Sequence, residues 1–155
     1  MVILYPLVSL AGCGFHLRGV IELPPELSRT HISGISEYSD FAATLRQQLR
    51  ANGVEIVEAD QSTATLRITR HRITRQVLAV GADGKVREFE LLGVLSFEVR
   101  KADKTVLLKN QTITLTREFI FDPDDVLGKT EEEALLREDL TENLARLMIY
   151  RLQAI

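Results

Sequence analysis

The chain has 155 residues, a formal net charge of -3 and a pI near 5.7, with 45% hydrophobic and 26% charged residues. This length suits one domain with a buried core, and the mildly acidic balance argues against a protein that binds nucleic acid over its whole surface. A single cysteine excludes an internal disulfide.

The N-terminus carries an apolar run that ends at the cysteine. Residues 2–11 read VILYPLVSLA, the length of the apolar part of a signal peptide and well short of the ~20 residues that span a bilayer. Leu10-Ala11-Gly12-Cys13 then resembles the bacterial lipobox, in which the cysteine is acylated and the peptide is cut just before it. We expect residues 1–12 to be a signal-peptide remnant and Cys13 to be lipidated. The alternative is an N-terminal strand with a buried thiol.

A proline pair separates this region from the rest of the chain. Pro24-Pro25 cannot lie inside a helix or a central strand. We therefore expect residues 13–27 to form a lipidated, extended tether and residues 28–155 to form a single folded domain.

The domain is predicted to open with a strand and a helix. The strand covers 29–35, and the helix covers 40–51 and ends at Asn52-Gly53, a left-handed stop signal. Apolar and amphipathic side chains fall on one stripe of this helix: Phe41, Leu45, Gln48 and Leu49. A short apolar stretch at 54–57 follows.

Three long segments rich in β-branched and apolar residues come next, at 64–80, 85–100 and 104–121. Asp83-Gly84 predicts a two-residue hairpin between the first two segments. Period two places five apolar side chains on one face of the middle strand: Phe89, Leu91, Leu95, Phe97 and Val99. The block therefore reads as an antiparallel meander.

The last element is an amphipathic helix. Thr130 with Glu133 forms a capping box, and leucines follow at helical spacing: Leu136, Leu140, Leu144, Leu147 and Leu152. The element order β-α-β-β-β-α predicts an α+β two-layer sandwich, a four-stranded mixed sheet with both helices on one face. The other face of the sheet is left for water or a partner.

The stretch RITRHRITR at 67–75 is unusually basic for a strand. Period two places Arg67, His71 and Arg75 on one face and Arg70 and Arg72 on the other, so they cannot all lie in an apolar core. Three interpretations remain open: a solvated strand whose arginines pair with the acidic last helix, a nucleic-acid site, or contact with a phosphate-bearing lipid or acidic protein. No aromatic residues interleave with the arginines, which disfavours nucleic acid.

Catalytic and metal-binding patterns are absent from the sequence. The three histidines are scattered, no paired histidine or cysteine spacing offers metal ligands, and no glycine-rich loop offers a phosphate site. We therefore predict no catalytic residues, no metal and no cofactor.

The heptapeptide CGFHLRG at 13–19, directly after the lipobox, resembles the start of the mature LptE family of lipopolysaccharide-assembly lipoproteins. The similarity continues through LRQQLRANGV at 45–54, the Asp83-Gly84 turn and the Asp122-Pro123 break. This resemblance implies a plug inside the large LptD β-barrel that assists assembly of the barrel and insertion of lipopolysaccharide, with no enzymatic activity. The protein would be anchored to the outer membrane on its periplasmic side. The alternative is another lipid-anchored periplasmic binding module with the same sandwich.

The family resemblance also implies a set of basic contact residues. Lys129 occupies a position implicated in lipopolysaccharide contact, and Lys85 and Arg87 lie next to the corresponding hairpin position, which is Ala82 here. The basic strand residues are candidates for contact with the barrel or the ligand: Arg67, Arg70, Arg72 and Arg75. No nucleic-acid partner is expected.

Overall fold

A computed structural model describes residues 21–155. In chain order its main elements are β1 (Arg29–Ser33), α1 (Asp40–Ala51), β2 (Glu55–Ile56), β3 (Ala64–Val80), β4 (Val86–Lys101), β5 (Val106–Ile120) and α2 (Val126–Leu152). The predicted signal-peptide remnant, Cys13 and the heptapeptide at 13–19 lie outside the described residues.

The strands form one mixed sheet in the order β2-β1-β3-β4-β5. β1 is parallel to both of its neighbours, and β3, β4 and β5 form the antiparallel meander that the sequence predicts. The sheet has five strands rather than the four expected. After α1 the chain returns beside β1, where the Glu55 and Val57 amides donate to the Ser28 and Thr30 carbonyls. Two residues are too few for a strand pattern to show in the sequence.

Both helices pack on one face of the sheet, as predicted for the two-layer sandwich. The core between the layers takes buried side chains from α1, α2 and the inner face of β4, and its largest fully buried members include Phe41, Phe97, Leu45, Leu95, Leu144 and Met148. Burying each such side chain contributes about 1.5–3 kcal/mol relative to leaving it exposed. The domain is therefore held together mainly from one side of the sheet.

α2 begins earlier than the capping box at Thr130 predicts. Its N-cap is Asp125, whose carboxylate accepts a hydrogen bond of 3.1 Å from the Gly128 amide. The Thr130 hydroxyl instead donates to the Val126 carbonyl, one turn back. The buried stripe also differs, because Met148 rather than Leu147 follows Leu144 on the core side.

The turn between β3 and β4 is one residue longer than the predicted two-residue hairpin. The Gly81 amide donates to the Lys85 carbonyl at 2.8 Å and closes a three-residue loop over 82–84. Gly84 has φ +77°, the left-handed conformation that glycine adopts without a steric cost. The Asp83-Gly84 pair therefore predicts the position of the turn correctly, but the predicted loop is one residue too short.

Candidate functional site

A β-bulge in β3 decides which way the basic side chains point. Ile68 lies opposite Phe97 and Arg70 lies opposite Ser96, so Thr69 is an extra residue with no partner on β4. The prediction that Arg67, His71 and Arg75 share a face is wrong, because strict period two holds only without a bulge.

The bulge sorts the basic residues between the two faces of the sheet. Ser96 and Val94, which alternate with the core residues of β4, lie opposite Arg70 and Arg72. Those arginines therefore join Arg67 on the face that neither helix covers, which we call the outer face. The register places His71 and Arg75 on the helix-covered face.

At the basic end of the outer face, one carboxylate forms ion pairs with two arginines. The Glu98 carboxylate lies 3.1 Å from the Arg100 guanidinium and 3.6 Å from the Arg67 guanidinium. The hydrogen bond from Arg100, together with the charges of both arginines, lowers the pKa of Glu98 below its ordinary value. Within residues 21–155, neither Arg70 nor Arg72 has a carboxylate within 4.0 Å.

The opposite end of the outer face is acidic. Glu90 on β4 lies directly opposite Glu118 on β5, and Glu88 is two residues along the same strand. None of the three has a Lys or Arg nitrogen within 4.0 Å among the described residues. This pairing could not be predicted from the sequence, because it depends on the exact register between β4 and β5.

On the helix-covered face, Arg75 belongs to an ion-pair cluster. The Glu133 carboxylate accepts a 2.8 Å hydrogen bond from Arg75 and a 2.7 Å hydrogen bond from Arg137. Burial raises the pKa of Glu133, but the bonds from the two arginines outweigh it and lower the pKa overall. Arg137 also donates to the Ile73 carbonyl, and Arg75 lies 4.6 Å from the centre of the Phe89 ring. The cluster joins α2 to β3, so Arg75 has a structural partner.

His71 is a half-buried packing residue on the helix-covered face. Its ring stacks on Phe41 at the start of α1, with ring centres 4.1 Å apart. Burial lowers the pKa of His71, and its Nε2 atom has no hydrogen-bond partner among residues 21–155. The neutral ring is the form that suits this contact.

The lipopolysaccharide candidates lie at the hairpin end of the sheet. The Phe121 amide donates to the Arg87 carbonyl at 2.8 Å, and the Phe121 side chain lines a cavity of about 30 Å³ together with Lys129. Lys85 belongs to the adjoining hairpin and is exposed. The fold thus places the hairpin and the start of α2 at one end of the domain, on the side away from the Arg67 end of β3.

Two of these three cations are already paired. The Arg87 guanidinium lies 2.9 Å from Asp83, and the Lys129 ammonium lies 2.7 Å from Glu132. The hydrogen bond that Lys129 donates to Glu132 raises the pKa of Lys129. Lys85 has no carboxylate within 4.0 Å among the described residues.

An open cleft of about 580 Å³ lies beside β2 and α1, and its lining includes Arg46, Arg50, Glu55 and Glu58. Among residues 21–155, no cluster of His, Cys, Asp and Glu side chains is placed to hold a metal ion. The described helices include none that is both long and apolar enough to cross a bilayer.

Sequence comparison finds named relatives that align with most of the chain. The chain is 30% identical over 146 residues to the LPS-assembly lipoprotein LptE of Photorhabdus laumondii, covering 94% of this chain and 79% of that protein. It is 29% identical over 147 residues to LptE of Pectobacterium atrosepticum, with the same coverage of 94% and 79%.

Solved structures show the same fold. The NMR structure of an uncharacterized lipoprotein B from Nitrosomonas europaea superposes with a TM-score of 0.77 at 27% identity, covering 92% of each chain. The rare lipoprotein B from Shewanella oneidensis gives a TM-score of 0.69 at 28% identity, covering 81% of this chain and 93% of that one. The family model described as LptE, lipopolysaccharide-assembly, matches residues 27–152. The chain therefore belongs to the LptE family.

Proposed function

We propose that this protein is an outer-membrane lipoprotein, anchored through Cys13 on the periplasmic side, that sits as a plug inside an LptD-type β-barrel. In this role it assists assembly of the barrel and helps to insert lipopolysaccharide into the outer leaflet. The observation that carries the proposal is the family match over residues 27–152, which spans almost the whole folded domain. The role is one of binding and assembly and requires no chemical step.

The architecture suits a plug. Two helices cover one face of the sheet, and the other face exposes charged and threonine side chains on three long strands. The interior of a large membrane barrel is polar, so a plug must present a polar surface to it. A sheet that is dry on one side and polar on the other meets that need without exposing its core.

The hairpin end is the proposed lipopolysaccharide contact. Lipopolysaccharide carries phosphate groups, which accept charge-assisted hydrogen bonds from lysine and arginine. Lys85 is exposed, and the ion pairs of Arg87 and Lys129 are at the surface, where such pairs contribute only about 0–1 kcal/mol. A phosphate can therefore displace Asp83 or Glu132 at little cost.

Replacing both lysines tests this site. Lys85→Asp combined with Lys129→Asp is expected to weaken lipopolysaccharide binding by the folded domain about tenfold in low salt, since losing the two charge-assisted contacts costs roughly 1.4 kcal/mol in total. The melting temperature should change little, because neither side chain belongs to the core. Titration of the domain with lipopolysaccharide at rising salt measures the effect, which should shrink as salt screens the charges.

A matched control for that experiment is Lys109→Asp combined with Arg146→Asp. Both residues are exposed and lie away from the hairpin end, on β5 and on α2. The control removes the same charge and is expected to bind as the unmodified domain does. If the Lys85 and Lys129 variant is stable and still binds lipopolysaccharide fully, the hairpin end is not the contact site.

The proposed function is tested by purifying the tagged, full-length chain from outer membranes in mild detergent. We expect it to bring a large β-barrel protein with it in near-equal amount. Recovery of the chain from outer membranes without such a barrel would favour a free-standing lipid-anchored binding module and contradict the plug.

A further inference from the structure

The outer face of the sheet carries two clusters of like charge that the folded domain leaves uncompensated. Arg70 and Arg72 are neighbours on one face of β3, opposite Ser96 and Val94 rather than acidic residues. At the other end, Glu90 and Glu118 occupy directly opposite positions on β4 and β5. Like charges in directly opposite positions destabilise a sheet, and Arg70 and Arg72 have no carboxylate within 4.0 Å among the described residues. Neither cluster is therefore explained by the stability of this domain.

The surface between the clusters is weakly polar. Leu92 and Val94 on β4 are half-buried in its centre, and three exposed threonines alternate along β5: Thr112, Thr114 and Thr116. An apolar centre with charged residues at its margins is the usual arrangement of a protein interface.

We infer that the outer face is the surface that docks against the inner wall of the barrel, with carboxylates of the wall facing Arg70 and Arg72. Lysine or arginine side chains of the wall would face Glu90 and Glu118. This inference rests on the proposed function and adds to it the surface and the orientation of the plug. The two ends of the outer face carry opposite charge. Only one rotational orientation of the domain in the barrel therefore brings both clusters opposite wall residues of the complementary charge.

A protein wall fits this face better than lipopolysaccharide does. Phosphate groups would pair with Arg70 and Arg72 but would be repelled by Glu88, Glu90 and Glu118 on the same face. A folded protein can present both signs of charge at fixed positions. The occupant that satisfies the whole face is therefore another polypeptide.

Glu118→Lys separates a docking role from a structural one. In the isolated domain it replaces a repulsive pair with an attractive one across from Glu90, so the melting temperature is expected to rise by roughly 1 °C or more. In outer membranes the same change places a cation against the cations of the wall. The amount of barrel recovered with the tagged chain is then expected to fall about tenfold.

Arg70→Glu combined with Arg72→Glu probes the other end of the face. Barrel recovery is expected to fall by about tenfold again, while binding of lipopolysaccharide by the isolated domain stays unchanged. The matched controls are Glu138→Lys and Arg146→Glu, exposed residues of α2 on the helix side of the domain, which should leave recovery near the unmodified level.

The outcomes are separable. If the unmodified chain recovers the barrel and the outer-face variants recover it equally well, the inference is wrong and the proposed function stands. If the Arg70 and Arg72 variant loses lipopolysaccharide binding but keeps the barrel, phosphate is the ligand of this face and the inference is wrong. If the unmodified chain recovers no barrel, the proposed function fails and the inference fails with it.

Discussion

Gly34→Ala is expected to destabilise the domain by about 3 kcal/mol, lowering the melting temperature by roughly 6–12 °C. Gly34 has φ +82° at the end of β1, and a Cβ atom there would lie 2.1 Å from the Ile68 carbonyl oxygen. Backbone of a neighbouring strand cannot move aside as a flexible side chain can. The left-handed backbone alone costs roughly 1–2 kcal/mol for a residue with a Cβ atom, and the overlap adds the rest.

Gly53→Ala is the control for the steric part of that effect. Gly53 also has φ +82°, but no atom lies within 4 Å of the place where its Cβ would be. It is expected to cost only the left-handed penalty, about 1 kcal/mol. Thermal unfolding of both variants measures the difference, and equal losses would show that the contact with Ile68 is not tight. The comparison matters for function, because the bulge that orients Arg70 begins directly after Ile68.

Cys13→Ala is expected to abolish incorporation of labelled palmitate into the chain and to release the protein from the outer membrane. A thioether-linked diacylglycerol with an acylated amine provides several acyl chains, enough for stable anchoring where one chain would be marginal. No other residue of this chain offers a thiol, because Cys13 is the only cysteine. Labelling in cells followed by membrane fractionation measures both effects.

His16→Ala is a suitable control, since it changes the neighbouring heptapeptide and keeps the lipobox residues 10–13. It should be labelled as the unmodified chain is. Persistent labelling of the Cys13→Ala chain would refute the assignment of the lipid anchor and revive the interpretation of Cys13 as a buried thiol.

Much of the architecture could be predicted because its periodic patterns are long. The α1 stripe of Phe41, Leu45 and Leu49, with its stop at Asn52-Gly53, predicts the helix as it is found. The inner face of β4 follows period two from Leu91 to Val99. These segments bury one continuous face, so a single residue pattern specifies both the element and its orientation.

The differences arise where one residue changes the geometry. Thr69 carries no signal of a bulge, yet it reverses the direction of the side chains from Arg70 to Val77, where the next register shift begins. β2 is a strand only because β1 supplies its partners, and the start of α2 depends on the Asp125 carboxylate rather than on Thr130. Such choices are made by tertiary contacts that a local pattern does not contain.

The candidate site, too, could be predicted from the sequence only in part. The sequence identifies the basic residues of β3 but not their partners, since the Glu133 contact of Arg75 joins residues 58 positions apart. Likewise Glu90 and Glu118 come together only through the register of β4 with β5. The bulge divides the basic residues of β3 into Arg75, which forms an ion pair on the helix-covered face, and Arg70 and Arg72, which are exposed on the outer face.

The most direct test of the proposed plug is the stoichiometry of whatever complex is recovered from outer membranes with the full-length chain. Quantitative mass spectrometry of the tagged chain purified in mild detergent should give a large β-barrel protein at a molar ratio near one to one. A barrel present only in trace amount, with the chain still fully recovered from the outer membrane, would contradict the account.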